Sequence, residues 1–342
     1  MERKSAKELI KLIIASVSSS PKSIQEIAEN CNSNWDSVRV YLESLKDAGI
    51  VQESAIGNKR VFSMGTRIVP ENPNTYFGLP IKEEDEKTIN SIFSVVKKEW
   101  TKITGNEPGR TQVQKCLARV NKECELGLPL GWYLHGPVCV DAYTPGNAYQ
   151  YSGLNQNIER CIHNVVKDYS TENTAYSLKM RYYREEKNQL YNSKELMFQL
   201  LSSTVFSKSN IKEANSLLME IIRNLPPIFD DDTNKMINQF QEMFIELLSR
   251  LTEEELSEIK IDVCTTFNEI WKLIAIFNYF NDLAPYYIRN YSREAELQHF
   301  LPEMNMQKMI VLECLRNLSD YMPAKNENVD ENYRKFKNML EG

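Results

Sequence analysis

The stretch that decides the N-terminal fold runs from Ser23 to Met64 and reads SIQEIAENCNSNWDSVRVYLESLKDAGIVQESAIGNKRVFSM. A first helix is expected to begin after Ser23, because Glu26 stands three residues later and completes a capping box. The polar break ENCN follows, and its residue types tolerate the turn between two helices. A second capping pair, Ser33 and Asp36, predicts the start of the second helix.

The second helix is predicted to be amphipathic. Its apolar stripe has the i, i+3, i+4, i+7 spacing of a buried helix face and consists of Val38, Tyr41, Leu42 and Leu45. The positions left facing outward are Asn34, Ser37, Arg39, Val40, Glu43 and Ser44. Gly49 is expected to end the helix in the left-handed cap position.

The residues on either side complete a small domain. Ile50–Glu53 and Arg60–Met64 read as two short strands of a hairpin whose tip, Ala55–Lys59, is basic. Upstream, the segment from Ser5 to Ser18 predicts a helix with a buried stripe of Leu9, Leu12, Ile13 and Val17. The sequence therefore predicts three helices plus a β-hairpin in residues 1–66.

The second helix and the residues after it resemble those of the winged-helix transcription regulators of bacteria and archaea. The matching residues are Ser37-Val38-Arg39-Val40-Tyr41-Leu42, then Leu45, then Ala48-Gly49-Ile50-Val51. The resemblance implies a winged helix-turn-helix over residues 1–66 that binds double-stranded DNA. It assigns DNA contacts to Asn34, Ser37, Arg39, Val40, Ser44, Asn58, Lys59 and Arg60. Winged helices also serve as protein-binding modules, so a protein-interaction subunit without DNA readout remains the alternative.

Composition and charge constrain how such a protein could bind DNA. The chain has 342 residues, of which 42% are hydrophobic and 26% charged, as in soluble globular proteins. Its net charge is -6, but residues 1–66 hold nine Lys/Arg against eight Asp/Glu, which leaves -7 for the remainder. An acidic body repels DNA, so we expect binding to be focused through the N-terminal domain and doubled in a homodimer.

Cysteine usage and hydropathy indicate the compartment. The seven cysteines have no framework spacing, which is typical of reduced thiols in a cytoplasmic protein. No apolar signal segment opens the chain and no run of 18 apolar residues occurs, so we expect no membrane association.

The rest of the chain is expected to be mainly helical. A proline-rich linker is placed at 67–81, a helical segment with a Gly- and aromatic-rich irregular region at 82–153, and an all-helical bundle at 154–342. The bundle assignment rests on the absence of glycine from Leu154 to Glu341, because tight hairpin turns need glycine. The predicted helices are Glu83–Ile103, Thr111–Cys124, Asn157–Asp168, Thr174–Leu190, Ser193–Phe206, Ile211–Leu225, Thr233–Leu251, Glu253–Phe280 and Met304–Tyr321.

Two segments of this body carry further expectations. The second half of Glu253–Phe280 is apolar nearly all round, which suits a helix buried in the bundle or in a dimer interface. The segment Gly127–Gly153 is expected to be an irregular junction that receives a protein or small-molecule signal, unless it is simply packed core. Its candidate ligand or partner residues are Trp132, Tyr133, His135 and Tyr143.

Other functions have weaker support in the sequence. His135, Cys139 and Asp141 could form a nucleophilic site, but Pro137 between them favours an extended segment in which the side chains need not converge. A zinc site would need His135, Cys139, Cys161 and His163, whose spacing matches no zinc motif. No GxGxxG, P-loop, HExxH or GxSxG motif occurs, so we expect no catalytic residue, metal or cofactor.

Two further possibilities stay open. One is a different function, and the other is a second nucleic-acid surface in addition to the N-terminal domain. The segment Leu128–Pro137 resembles the aromatic-x-Tyr-Gly-Pro turn of small helical proteins associated with phage and toxin-antitoxin loci, with His135 in place of the tyrosine. A defence or antitoxin-associated role is therefore kept beside the transcription regulator. A second nucleic-acid surface is also conceivable at Lys179, Arg181, Arg184 and Lys187, although Glu185 and Glu186 favour a solvated helix face.

Overall fold

The computed structural model describes residues 9–10, 12–13, 16–17, 21–47, 51–56, 59–64, 76–141, 143–172, 174–202, 208–225, 231–291 and 293–321. These residues are mainly helical, with two small antiparallel hairpins. The mainly α fold class is therefore confirmed. Within these ranges, no helix combines the length and apolarity that a membrane crossing requires.

The N-terminal module, which we define as the described residues up to Met64, contains two short helices followed by a hairpin. The helices are α1, Ile24–Cys31, and α2, Trp35–Asp47, and the strands are β1, Val51–Ile56, and β2, Lys59–Met64. The strands are antiparallel, with Val51 opposite Met64. Residues 48–50, including the predicted cap Gly49, lie outside the described residues.

The start of each helix follows from a local hydrogen bond. The predicted capping box of α1 is present, because Ser23 accepts from the Glu26 backbone N–H and the Glu26 carboxylate accepts from Ser23. The predicted pair at the start of α2 is wrong: the Oδ1 of Asn34, and not Ser33, accepts from the Asp36 backbone N–H at 2.7 Å. The asparagine side chain reaches two residues along the chain, so α2 begins at Trp35.

Most of the residues that the sequence predicts to be buried in the module are buried in the structure. The four stripe residues of α2 are all buried, as are Leu9, Ile13 and Val17 upstream, while Leu12 is only half-buried. An unpredicted bridge joins Lys22 to Phe62, whose backbones exchange hydrogen bonds of 2.9 and 2.7 Å. This bridge ties the chain before α1 to the hairpin. Ile310 and Cys314, far along the chain, complete the same apolar cluster.

The body contains nine further helices among the described residues. They are α3 Glu83–Thr104, α4 Arg110–Glu123, α5 Gln156–Tyr169, α6 Ala175–Glu185, α7 Gln189–Ser202, α8 Lys208–Arg223, α9 Asp231–Arg250, α10 Glu253–Asn290 and α11 Arg293–Ser319. Tyr76–Gly78 forms a short 3-10 helix within the predicted linker 67–81, of which 67–75 lie outside the described residues. The helix that contributes Ile310 and Cys314 to the module is α11.

The largest differences from the predicted helix boundaries occur at three places. The helix predicted to end at Phe280 continues through Pro285 to Asn290, and the helix predicted to begin at Met304 begins at Arg293 and contains Pro302. The helix predicted to reach Leu190 ends at Glu185, because Lys187 takes a left-handed conformation with φ 53°. Asn188 then opens α7, where its Oδ1 accepts from the Tyr191 backbone N–H at 3.2 Å.

The Gly-rich segment expected to be irregular contains a hairpin. Strand β3, Leu130–Tyr133, pairs antiparallel with β4, Gly136–Cys139, and Trp132 lies opposite Pro137. The hairpin lies against α10, where Gly131 is required, since a Cβ there would come within 2.6 Å of the Tyr279 carbonyl oxygen.

The long helix α10 is buried within its own chain. Every residue from Leu273 to Phe280 is less than 10% exposed, because α11 and the β3–β4 hairpin pack against this part of the helix. The expectation that its apolar half buries surface between two subunits does not hold, since that half is already covered. The large exposed apolar side chains of α10 are Ile261 and Ile288, outside this region.

Candidate functional site

The outward face of α2 is exposed at its first turn. Asn34, Trp35 and Ser37 are exposed, and Trp35 retains 42% of its accessible surface although it is a large aromatic residue. The Arg39 guanidinium lies 5.4 Å from the centroid of the Trp35 ring, at cation–π distance. Arg39 forms no ion pair with any described residue, and its Nε has no hydrogen-bond partner there.

The second turn of α2 is less accessible. Val40 is half-buried and packs against the apolar core of the body, so it is not a free reading position. The side chains of Ser44 and Lys59, and the whole of Asn58, lie outside the described residues.

The β1–β2 hairpin carries an ion-pair network. Arg60 pairs with Glu53 and, at 3.3 Å, with Glu43, while Lys46 pairs with the same two carboxylates. The hydrogen bond from Arg60 is the main cause that lowers the pKa of Glu53 to about 2. Both cations are therefore matched by carboxylates, which reduces the positive potential of this hairpin toward a phosphate backbone.

A second charged cluster lies at the turn of the β3–β4 hairpin, inside the body. The Nζ of Lys115 donates to the backbone oxygen of His135 at 2.8 Å, and the Nζ of Lys194 donates to that of Leu134 at 3.1 Å. Lys194 and Lys179 both pair with Glu195, each at 2.7 Å. Lys115 and Lys194 are 1% exposed. We name Lys115, Lys179, Lys194 and Glu195 the lysine cluster.

Burial dominates the protonation of the lysine cluster. Desolvation lowers the pKa of Lys115 well below its usual range, and it lowers that of Lys194 to about 8 despite the attraction of Glu195. Desolvation alone would raise the pKa of Glu195, but His135, Lys194 and Lys179 together outweigh it and lower that pKa. The cluster fixes the hairpin turn, because the Nζ groups of Lys115 and Lys194 donate to consecutive backbone carbonyls.

The sequence-derived catalytic and metal candidates are not assembled into a site. His135 is exposed at the hairpin turn with Nδ1 3.9 Å from Glu195, whereas Cys139 is fully buried and burial raises the pKa of its thiol. His163 lies against Glu99 at 3.0 Å, and Cys161 against Glu123. Across the part of the chain that the structure describes, no three His, Cys, Asp or Glu side chains are grouped to hold a metal ion.

The aromatic candidates of the Gly-rich segment separate into different environments. Tyr143 is fully buried against Phe93 and stacks on Tyr149 with ring centroids 5.2 Å apart, so it is core. Tyr133 packs against Tyr279 of α10. Trp132 contacts Tyr191, with ring centroids 4.6 Å apart, and lines a cavity.

That cavity has a volume of about 330 Å³ and lies between the α6–α7 connection, the β3–β4 hairpin and α10. Its wall includes five carboxamide side chains, which belong to Asn188, Gln189, Asn224, Asn278 and Asn281. Asp282, which accepts from the Trp132 backbone N–H at 2.8 Å, belongs to the same wall. Sequence reasoning found Trp132 but missed these polar residues.

The possible second nucleic-acid surface on α6 is largely neutralised. Lys179 pairs with Glu195, and Arg181 pairs with Asp168 at 2.8 Å and Glu185 at 2.7 Å. Because these cations are paired with carboxylates, the structure favours a solvated helix face over a second nucleic-acid surface.

The chain was compared with protein families, curated proteins and solved structures. The chain matches no protein family, no curated protein and no solved structure.

Proposed function

We propose that the N-terminal module is a winged helix-turn-helix and that the chain is a sequence-specific DNA-binding regulator, with α2 as its reading helix. The observation that carries this proposal is the division of α2 into two faces. One stripe is wholly buried in the module, while Asn34, Ser37 and Arg39 are left toward solvent or only half-covered. A helix that is anchored along one side and polar on the other can lie in a major groove.

The order and spacing of the elements support this assignment. Residues 32–34 separate α1 from α2, and the hairpin follows α2 after residues 48–50. The Lys22–Phe62 bridge holds the hairpin against the chain before α1. This bridge gives the hairpin a fixed position relative to α2, which a wing needs in order to contact the phosphates beside the groove.

Arg39 is the central DNA-contacting residue in this proposal. It is the one described cation on the outward face of α2 that forms no ion pair, whereas Lys46 and Arg60 are both engaged by carboxylates. One such cation for each module gives little electrostatic affinity, so we propose that DNA is bound by two copies of the chain on two half-sites. Their interface must lie away from Leu273–Phe280, which is buried.

A second candidate function is protein binding through the same face. It is favoured by Trp35, which is 42% exposed and stacked with Arg39, because tryptophan and arginine are enriched at the energetic centres of protein interfaces. The matched charges of the hairpin also suit a protein partner better than a phosphate backbone.

DNA selection with the full chain distinguishes the two functions. Double-stranded DNA selected from a random pool should bind at low salt, and Arg39→Ala should weaken it by about 1–3 kcal/mol and relax its sequence preference. Arg160→Ala, an exposed arginine of the body, is the matched control and should bind like the parent.

Two results would reject DNA readout. One is a pool that yields no enriched sequence at low salt. The other is equal DNA affinity of Arg39→Ala and the parent at two salt concentrations. If Trp35→Ala then abolishes binding to a defined protein partner, protein binding replaces DNA binding as the proposed function of this face.

A further inference from the structure

The cavity beside the β3–β4 hairpin has a wall of neutral dipoles. Carboxamides carry both donors and acceptors, and three of them come from two distant parts of the chain, Asn188 from the α6–α7 connection and Asn278 and Asn281 from α10. Such a wall is complementary to a ligand whose polar groups also donate and accept. Its volume of about 330 Å³ falls at the lower end of small-molecule sites.

Two buried polar groups of this wall, Asn278 and Tyr191, lie beside each other. Asn278 is 6% exposed and Tyr191 is 1% exposed, and the Asn278 side chain lowers the pKa of the Tyr191 hydroxyl against the larger effect of burial, which raises it. The Asn278 Oδ1 accepts no hydrogen bond from a described residue, so one acceptor of this wall stays unused.

The charges at the cavity argue against an anionic ligand. Glu186 is paired with Lys122 at 2.8 Å, which leaves Lys187 and Asp282 as opposite charges. A wall with one cation and one carboxylate has no excess positive charge to attract a phosphate. Asp282 uses Oδ2 for the Trp132 backbone N–H, and its Oδ1 accepts from no described residue. Desolvation raises the pKa of Asp282, against the opposing hydrogen bond from Trp132.

One aromatic side chain accompanies these polar groups. Trp132 is half-buried and packs on the buried Tyr191, so it is Trp132 that can contact the carbon skeleton of a ring. Adjacent hydroxyl groups on such a ring could bond a carboxylate and a carboxamide together, because Asp282 and Asn281 both line the cavity.

We propose that this cavity binds an uncharged small molecule with vicinal hydroxyl groups on a ring, either a free sugar or the ribose of a nucleoside. The proposal does not depend on DNA binding by the N-terminal module.

Calorimetric titration of the full chain tests this with adenosine, uridine, D-ribose, D-glucose and maltose as neutral probes. Inorganic phosphate and adenosine monophosphate are the charged comparisons. At least one neutral probe should bind one-to-one with a Kd below about 1 mM. A response to sugars alone identifies a saccharide site. A response to nucleosides that is lost with 2′,3′-dideoxyadenosine identifies ribose recognition.

Variants locate the binding. Asn281→Ala and Asp282→Asn should each weaken the bound probe at least tenfold, while Asn290→Ala, at the end of the same helix, should leave it unchanged. Asn281 is only half-buried, so we expect Asn281→Ala to fold. This variant therefore still tests the site if Asp282→Asn impairs folding. The proposal is overturned if no neutral probe binds below about 1 mM, if adenosine monophosphate binds more tightly than adenosine, or if both cavity variants bind like the parent.

Discussion

Each of the two hairpins among the described residues has a carboxylate with two cationic partners, in opposite settings: Glu53 belongs to the first hairpin, and Glu195 on α7 lies at the turn of the second. In the N-terminal hairpin, Glu53 meets Arg60 and Lys46 at the surface, where its side chain is 23% exposed and Arg60 is 59% exposed. In the body, Glu195 meets Lys194 and Lys179 with its side chain only 8% exposed. Both carboxyl groups have a lowered pKa. The difference in exposure predicts that the ion pairs of Glu53 contribute little to the free energy of unfolding and that those of Glu195 contribute much more.

The largest effect is expected from Glu195→Gln. The amide leaves the buried Lys194 and the half-buried Lys179 without a counter-charge, so the free energy of unfolding should fall by about 3–5 kcal/mol in urea titrations. Glu53→Gln is the matched control in the exposed hairpin and should cost about 1 kcal/mol or less. Equal losses for the two variants would contradict the distinction between the hairpins.

A smaller effect is expected from Gly136→Ala at the turn of the buried hairpin. Gly136 has φ +98°, and a Cβ there would lie 2.2 Å from the Lys115 Nζ. Gly146 has φ +87° but no atom within 4 Å of such a Cβ. Both alanine variants bear the cost of a positive φ, so Gly136→Ala should be less stable than Gly146→Ala by about 1–3 kcal/mol, the cost of overpacking. Indistinguishable denaturation midpoints would show that Lys115 does not confine the turn.

A third prediction concerns pH. The pKa of Lys194 is lowered from 10.5 to about 8, so between these values the unfolded chain holds a proton that the folded chain has released. Raising the pH through this window therefore favours the folded state. From pH 7 to pH 9, the stability of the parent relative to Lys194→Met should rise by about 1 kcal/mol in urea titrations. A difference that stays constant or falls over this range would contradict the lowered pKa.

The sequence predicted what depends on neighbouring residues. Ser23 and Glu26 interact across one turn, and Val38 to Leu45 repeat with the helix period, so the start of α1 and the buried face of α2 could be predicted. The helices of the body could be located for the same reason.

Features that depend on distant residues could not be predicted in this way. The end of α10 continues past Pro285 because tertiary bonds hold it there: the Tyr286 hydroxyl donates to Asp85 at 2.6 Å and the Tyr287 hydroxyl to the Pro80 oxygen at 2.9 Å. The hairpin at Leu130–Cys139 likewise depends on its contact with α10.

The lysine cluster left one signal in the sequence. Lys194 falls on the apolar stripe of α7, between Leu190 and Leu201 at helical spacing, where a lysine is unusual unless it is paired. The other lysines of the cluster, Lys115 and Lys179, are on other helices, and its backbone acceptor Leu134 lies in the hairpin turn, so the sequence could suggest a buried lysine without identifying its surroundings.

The most direct test of the DNA-binding proposal uses the exposed hairpin. In the full chain, Glu43→Gln together with Glu53→Gln releases Arg60 and Lys46 from their carboxylates and keeps the side-chain shapes. Affinity for the selected DNA should increase, and the dependence of log K on log salt should steepen by about one to two units. Glu246→Gln, which releases Arg250 on α9, is the control and should change neither quantity. An affinity and salt dependence equal to those of the parent would contradict DNA contact by this module.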